Sequence, residues 1–239
     1  CSTAVHAALR ARTGQSHLGD SLAILAGDLA SAYAWELVFD ASRGLACAPA
    51  LIAAFVRMHQ DVVLGQELDL QATRDVSRMQ KLKTGSYTVE GPLRLGAILA
   101  GATEAQQARL EAFGAPLGEA FQVRDDLLGA FGDPSRTGKP RGNDLRAGKR
   151  TALVLECEHT SGAEDRALLS SVLGRHEASD EEVARVLAML ERAGVRARVE
   201  ARLAALLESA RAALVPGTLQ PDGEQMLLDL VDALALRDA

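Results

Sequence analysis

Aromatic and cysteine residues are scarce in this chain. Only 3% of its 239 residues are Phe, Trp or Tyr, and its three cysteines, Cys1, Cys47 and Cys157, are far apart and form no CxxC pair. A β-sandwich core favours aromatic and β-branched residues, so the composition favours helix packing instead. The cysteine pattern argues against a disulfide framework, and the five scattered histidines have no spacing typical of a zinc site.

The chain also lacks an excess of basic residues, since its formal net charge is −6. A general nucleic-acid binder is normally basic, so we expect no nucleic-acid partner. No uninterrupted apolar run reaches transmembrane length, and no signal peptide is recognised; we expect a cytoplasmic protein without stable membrane insertion. The sequence begins with Cys1 rather than Met, which predicts that an upstream segment precedes it.

Most of the sequence has apolar residues three and four apart, the period of an α-helix. We therefore predict an all-α fold in a single domain spanning residues 1–239. The predicted helices cover residues 18–40, 47–68, 71–83, 86–101, 104–131, 149–171, 180–194, 197–214 and 222–237. The longest stretch without helical period is 132–148, and a loop of that length in a compact helical domain is often functional.

The helix that precedes this loop carries two adjacent carboxylates, Asp125 and Asp126. An apolar stripe that includes Leu117 and Phe121 lies on one side of the helix, and the carboxylates are predicted on the opposite side with Gln122. Carboxylates in this arrangement suit Mg²⁺, which prefers oxygen ligands and often bridges protein carboxylates to substrate phosphates. The alternative is the ordinary solvated face of a surface helix.

The loop itself is basic, although the chain as a whole is acidic. Residues 136–150 contain six Lys or Arg residues and one acid, Asp144. Phosphate oxygens bound by metal on one side and by Lys and Arg on the other would explain why this cluster follows the carboxylates. A solvated charged loop is the alternative. A phosphate-binding P-loop is excluded, because the spacing is one residue too long and Pro140 replaces the required Ser or Thr.

Four ordered segments together resemble the trans-isoprenyl diphosphate synthase, or polyprenyl synthetase, family. They are GDSLAILAGD from Gly19, GQELDL from Gly65, KTGSYT from Lys83 and FQVRDDLLGAFGDPSRTGKPRGNDLRAGKRTALV from Phe121. The last segment resembles the second aspartate-rich region of that family. The resemblance covers most of residues 16–155, and bacterial geranylgeranyl diphosphate synthases are the most similar members.

The resemblance implies a helical bundle around a central cavity, usually a homodimer, with three Mg²⁺ ions per site. The residues that match family positions are Asp125, Asp126 and Asp69 for metal, Lys83, Lys139 and Lys149 for substrate diphosphate, and Lys83, Thr84, Gln122 and Lys149 for catalysis. Gly129 lies where many relatives carry a third aspartate.

The implied reaction joins isopentenyl diphosphate to an allylic prenyl diphosphate, head to tail, with a geranylgeranyl-type product favoured. The chain departs from the family at its start, because the first aspartate-rich motif, DDxxD, and the N-terminal helices are absent. We therefore predict that this polypeptide alone is inactive. A non-catalytic or regulatory partner subunit is the main alternative; a terpene cyclase and a helical binding module without chemistry are weaker ones.

Overall fold

A computed structural model describes residues 4–71, 73, 75–134 and 141–235. In these ranges the chain is helical and contains no β-strand, which confirms the all-α prediction. The α-helices are α1 Val5–Thr13, α2 Ser16–Ser42, α3 Ala48–Leu70, α4 Val76–Gln80, α5 Gly91–Leu99, α6 Glu104–Phe131, α7 Asn143–Arg146, α8 Ala152–Thr160, α9 Ala163–Ser170, α10 Asp180–Arg192, α11 Val195–Ala213 and α12 Pro221–Ala235. A π-helical segment, Lys81–Glu90, joins α4 to α5.

The chain divides into two compact units, Cys1–Ala53 and Ala54–Ala239, and the boundary falls within α3. In the first unit α1 packs against α2. A bidentate ion pair between Arg10 and Asp20 joins these two helices, with N···O distances of 2.7 and 2.8 Å. The expectation of a single domain stays a prediction.

The second unit has an aliphatic core, as the low aromatic content predicts. Its central helix, α6, packs against α11 and against the π-helical segment. Fully buried core side chains include Phe113 on α6, Val186 and Leu190 on α10, and Val231 on α12. Helices from the whole second unit therefore hold α6, which carries the paired carboxylates, in place.

Side-chain caps fix the start of two of these helices. Ser179 accepts a hydrogen bond from the backbone N–H of Glu182, and the Glu182 carboxylate accepts one from the N–H of Ser179. This reciprocal arrangement is a capping box, and it gives two backbone N–H groups at the start of α10 an acceptor. Thr103 and Gln106 form the same arrangement at the start of α6.

The structure differs from the predicted helices in several segments, including the short α7, which lies in the stretch 132–148 predicted to be non-helical. Helix α1 was not predicted, because its short sequence has a weak apolar period and none of its residues is buried. The predicted helix over 149–171 is two helices, because the backbone is extended at Ser161 and Gly162. The predicted break after Lys83 is absent, since the backbone there stays helical by winding more loosely into a π-helix.

Helix α2 is apolar on all sides and is scarcely buried in its unit. Only Gly19 and Ser42 among its 27 residues are buried. By length and composition it is the one helix in the described ranges that could cross a membrane, with a mean hydropathy of 1.4 over 18 residues. Helices in the cores of soluble proteins meet the same criterion, so the expected absence of membrane insertion stays a prediction.

Candidate functional site

The predicted lysine–threonine motif lies on the π-helical segment, against the C-terminal end of α3. Lys83 Nζ forms an ion pair with Asp69 Oδ2 at 2.5 Å, and both side chains are partly buried. The two backbones are in direct contact, because a Cβ atom on Gly65 would fall 2.3 Å from the Lys83 nitrogen. Glycine at position 65 therefore fixes how closely Lys83 approaches Asp69.

A chain of hydrogen bonds connects the π-helical segment to α6 and α8. The Thr84 hydroxyl donates to Gln122 Oε1 at 2.9 Å, and Gln122 Nε2 donates to Asp126 Oδ1 at 2.9 Å. The second oxygen of Asp126 accepts from the backbone N–H of Ala152 at 2.7 Å. Three separate elements are thus joined by one network of four residues.

The two adjacent aspartates of α6 lie in opposite environments. Asp125 is exposed, whereas Asp126 is only 5% exposed. Burial raises the pKa of Asp126 to about 6, despite the hydrogen bonds from Ala152 and Gln122 that lower it. Asp126 shares a side of the helix with Gln122, as predicted, but the start of α8 covers it, so only Asp125 of the pair is open to solvent.

Lys149 lies at the end of the basic loop and contacts Asp144. Its Nζ is 2.7 Å from Asp144 Oδ1, and about half of the lysine side chain is exposed. Burial would lower the pKa of Lys149, but the hydrogen bond to Asp144 and the charges of Asp144, Asp69 and Asp125 together raise it. Lys149 is therefore within electrostatic reach of the carboxylates of both α3 and α6.

Asp144 was not among the predicted site residues, although it is central to the geometry. A Cβ atom on Gly129 would fall 2.8 Å from Asp144 Oδ2. The carboxylate of Asp144 thus occupies the space beside Gly129 on α6. In the sequence, Asp144 stood out only as the single acid within a basic loop, and that pattern did not predict its contact with Gly129.

Two loop arginines have structural partners. Arg141 donates to the backbone oxygen of Gly132, which lies at the end of α6. Arg146 donates to the backbone oxygens of Ala178 and Arg141 and forms an ion pair with Asp180. These contacts fix the end of the loop, while Lys139, the remaining predicted diphosphate ligand, lies outside the described residues.

In the described parts of the chain, no three His, Cys, Asp or Glu side chains are placed so that they could together hold a metal ion. Asp125 is open to solvent, and Asp69 and Asp144 are each paired with a lysine. Mg²⁺ commonly uses one or two protein carboxylates together with substrate phosphates and water. The residues present therefore fit an ion shared with a bound diphosphate, rather than one enclosed by protein alone.

A cavity of about 360 Å³ lies between the π-helical segment, α6 and α11. Gln122 lies in its wall together with charged side chains, among them Lys81, Glu119 and Arg202. The hydrogen-bond network therefore borders open space on the Gln122 side.

Comparison with known proteins gives the family. The polyprenyl synthetase family profile matches residues 10–190. The chain is 34% identical over 231 residues to a geranylfarnesyl diphosphate synthase from Aeropyrum pernix, covering 92% of this chain and 71% of that protein. It is 34% identical over 175 residues to a geranylgeranyl diphosphate synthase from Sulfolobus acidocaldarius, covering 69% of this chain and 52% of that enzyme.

The fold agrees with these matches. The crystal structure of geranylgeranyl pyrophosphate synthase from Corynebacterium glutamicum, complexed with isoprenyl diphosphate and magnesium, superimposes with a TM-score of 0.85 at 33% identity. The match covers 98% of this chain and 69% of that one. The chain therefore belongs to the polyprenyl synthetase family, as the ordered motifs predicted, and spans between about half and about 70% of the length of these relatives.

Proposed function

We propose that this chain is part of a Mg²⁺-dependent trans-isoprenyl diphosphate synthase, which condenses isopentenyl diphosphate with an allylic prenyl diphosphate. One observation supports this most directly: Lys149 lies within electrostatic reach of Asp69 and Asp125, and Asp69 is paired with Lys83. In this proposal, the two ammonium groups and the open carboxylate of Asp125, which come from three separate elements, are the groups that meet the diphosphate and its metal ion. The matched relatives are named as geranylgeranyl, farnesyl and geranylfarnesyl diphosphate synthases, which supports a short-chain product.

The residues have separable roles in this proposal. Lys83 and Lys149 bind the oxygens of the allylic diphosphate and stabilise its negative charge as the allylic C–O bond breaks. The hydroxyl of Thr84 and the amide of Gln122 orient the reacting end, since they form one hydrogen-bonded pair and Thr84 is next to Lys83 in the chain. Bound at Asp125, Mg²⁺ would withdraw charge from the leaving diphosphate.

Binding of inorganic pyrophosphate with Mg²⁺, measured by calorimetry, tests the site in this chain. We expect Lys149→Ala to weaken binding by roughly tenfold, because it removes a charge-assisted contact. Arg192→Ala is a matched control, since it removes an exposed cation that pairs with Asp165. Equal losses from both substitutions would place the pyrophosphate elsewhere and contradict the proposal.

Turnover with Mg²⁺, isopentenyl diphosphate and allylic primers of increasing length tests the reaction itself. We expect no product from this polypeptide alone, because its 239 residues contain no DDxxD motif. The second candidate is a non-catalytic partner subunit of such a synthase. A mixture with an active synthase separates the two, since only a partner subunit would change the partner's rate without making product.

We propose that a second copy of the chain covers the exposed surface of α2 in a homodimer. The large apolar side chains Leu25, Leu29, Tyr33 and Leu37 are between 53% and 70% exposed and recur every four residues. A helix with this pattern is normally covered by protein or lipid. Light scattering should give a dimer that Leu29→Glu converts to monomer; a monomer without substitution would contradict this assembly.

A further inference from the structure

We infer that Arg146 and Arg150 are positioning residues, which fix the backbone on either side of Lys149 and thereby place its ammonium group. The inference deepens the proposed function, on which it rests, because Lys149 is a proposed ligand of the diphosphate. In this assignment neither arginine binds the diphosphate itself. Both hold one of its ligands in place before the substrate arrives.

Lys149 depends on its surroundings for its position, because its side chain is flexible and about half exposed. Two contacts join it to Asp144. Its Nζ lies 2.7 Å from Asp144 Oδ1, and its backbone N–H donates to the backbone oxygen of Asp144 at 2.9 Å. The ammonium group of Lys149 is therefore placed only as firmly as the segment that carries Asp144.

Asp144 lies on α7, which is a helix of only four residues. A helix this short is not stable by itself in water, so it depends on contacts with other segments. Arg146, the last residue of α7, supplies them: its Nε donates to the Ala178 backbone oxygen at 2.8 Å, and its Nη2 pairs with Asp180 Oδ1 at 2.5 Å. The Arg146 side chain is only 13% exposed. One guanidinium group thus attaches α7 to the start of α10, and its forked set of donors is one that a lysine could not reproduce.

Arg150 fixes the chain on the other side of Lys149. Its two terminal nitrogens bond to the two oxygens of Glu158, so the contact is bidentate. Glu158 lies on α8, which begins at Ala152. Lys149 therefore lies between one segment that is attached to α10 and another that is attached to α8.

Both guanidinium groups are better placed to support a ligand than to act as one. A diphosphate that bound Arg146 or Arg150 would have to break these contacts and leave a carboxylate or backbone oxygen without its donor. Lys149, placed in advance, costs less entropy when the substrate binds, because the group that meets the anion is already ordered. The two arginines thus contribute to affinity through the position of Lys149.

A spectrum of the chain labelled with ¹⁵N-lysine tests the position of Lys149 directly. The chain has only four lysines, so few signals overlap; they are Lys81, Lys83, Lys139 and Lys149. An ammonium group held in an ion pair exchanges its protons with water more slowly than a free one, and Lys149→Arg identifies the signal of interest. We expect the Lys149 signal to be lost through exchange in Arg146→Gln and in Arg150→Gln. The signal of Lys83, which is paired with Asp69, should persist in both variants.

Calorimetry with magnesium pyrophosphate tests the consequence for binding. We expect R150Q to weaken binding roughly fivefold, and Arg150→Glu combined with Glu158→Arg to restore most of the affinity, because the exchanged partners can make the same contact. Arg198→Gln is the matched control. It removes an arginine that pairs with Glu156, also on α8, and should change the affinity less than about twofold.

A double-mutant cycle separates positioning from direct binding. If the arginines act through Lys149, the losses of affinity in R150Q and Lys149→Ala should not add, whereas a direct contact or a general folding defect gives losses that do. Fully additive losses would overturn the inference, as would a Lys149 signal unchanged in R146Q and R150Q. If R146Q does not fold, Asp180→Ala takes its place, because it removes an acceptor of Arg146 from an exposed position. If the unsubstituted chain binds no magnesium pyrophosphate, the proposed function fails, and the Lys149 signal still decides whether the two arginines place that group.

Discussion

Helices α2 and α10 differ in how far capping and the burial of apolar side chains within their own unit stabilise them. Helix α10 has a capping box at Ser179 and buries five apolar side chains along one face. Helix α2 is twice as long, has no side-chain cap, and buries only Gly19 and Ser42. Helix α10 is amphipathic and buries its apolar face within its own unit. Helix α2 leaves an apolar surface exposed, which we expect another protein surface to cover.

Truncating one leucine in each helix should give the largest contrast. We expect Leu190→Ala to reduce the free energy of unfolding by about 3–4 kcal/mol, because Leu190 is fully buried in the core. Leu29→Ala should cost less than about 0.5 kcal/mol in the isolated chain, because Leu29 is 53% exposed. Urea unfolding measures both; a comparable, concentration-dependent cost at Leu29 would mean that α2 is covered in solution.

Adding a methyl group tests where the second unit is tightly packed. Gly65→Ala should destabilise the chain by about 3 kcal/mol and shift Lys83, because the new Cβ meets the backbone of the π-helical segment. Gly96→Ala is the matched control; nothing lies within 4 Å of that position, and alanine should stabilise α5 by about 0.5–1 kcal/mol. Thermal melts that rank the two variants the other way would contradict this packing.

The free energy of unfolding of the second unit should also depend on pH, through the buried carboxylate of Asp126. Burial raises the pKa of Asp126 from 3.8 to about 6 in the folded chain, so the folded state holds this proton more tightly than the unfolded state. The resulting stabilisation is complete below the unfolded pKa, is lost as the pH rises from about 4 to 6, and amounts to about 3 kcal/mol. Asp126→Asn cannot titrate, so the stability difference between wild type and variant should fall over that window in urea titrations; a constant difference would contradict it.

The smallest expected effect lies at the cap of α10. Ser179→Ala should cost about 1 kcal/mol, because it removes the hydroxyl that accepts from the Glu182 backbone. Ser209→Ala, in the exposed middle of α11, should change stability little, since that hydroxyl only bonds back to its own helix. Circular dichroism melts of both variants would show whether the cap contributes as expected.

Local patterns made much of the fold predictable. The apolar periodicity of α6 and the four ordered motifs depend on residues close in sequence. The burial of Asp126 was not predicted, because a helical period identifies two sides of a helix but not which segment covers them. The contact between Asp144 and Gly129 joins residues fifteen positions apart through a loop with no helical period, so no repeat in the sequence records it.

The ion pairs at the site have a thermodynamic consequence for ligand binding. Lys83 is neutralised by Asp69, and Lys149 by Asp144, so an incoming anion alone must compete with carboxylates that are already in place. A divalent cation that uses Asp69 or Asp144 in addition to the open Asp125 must likewise compete with the ammonium groups for those oxygens. When both arrive together, each frees the partner that the other requires, so their affinities should be reciprocally coupled. The resting charge balance thereby favours the complex of metal and diphosphate over either component by itself.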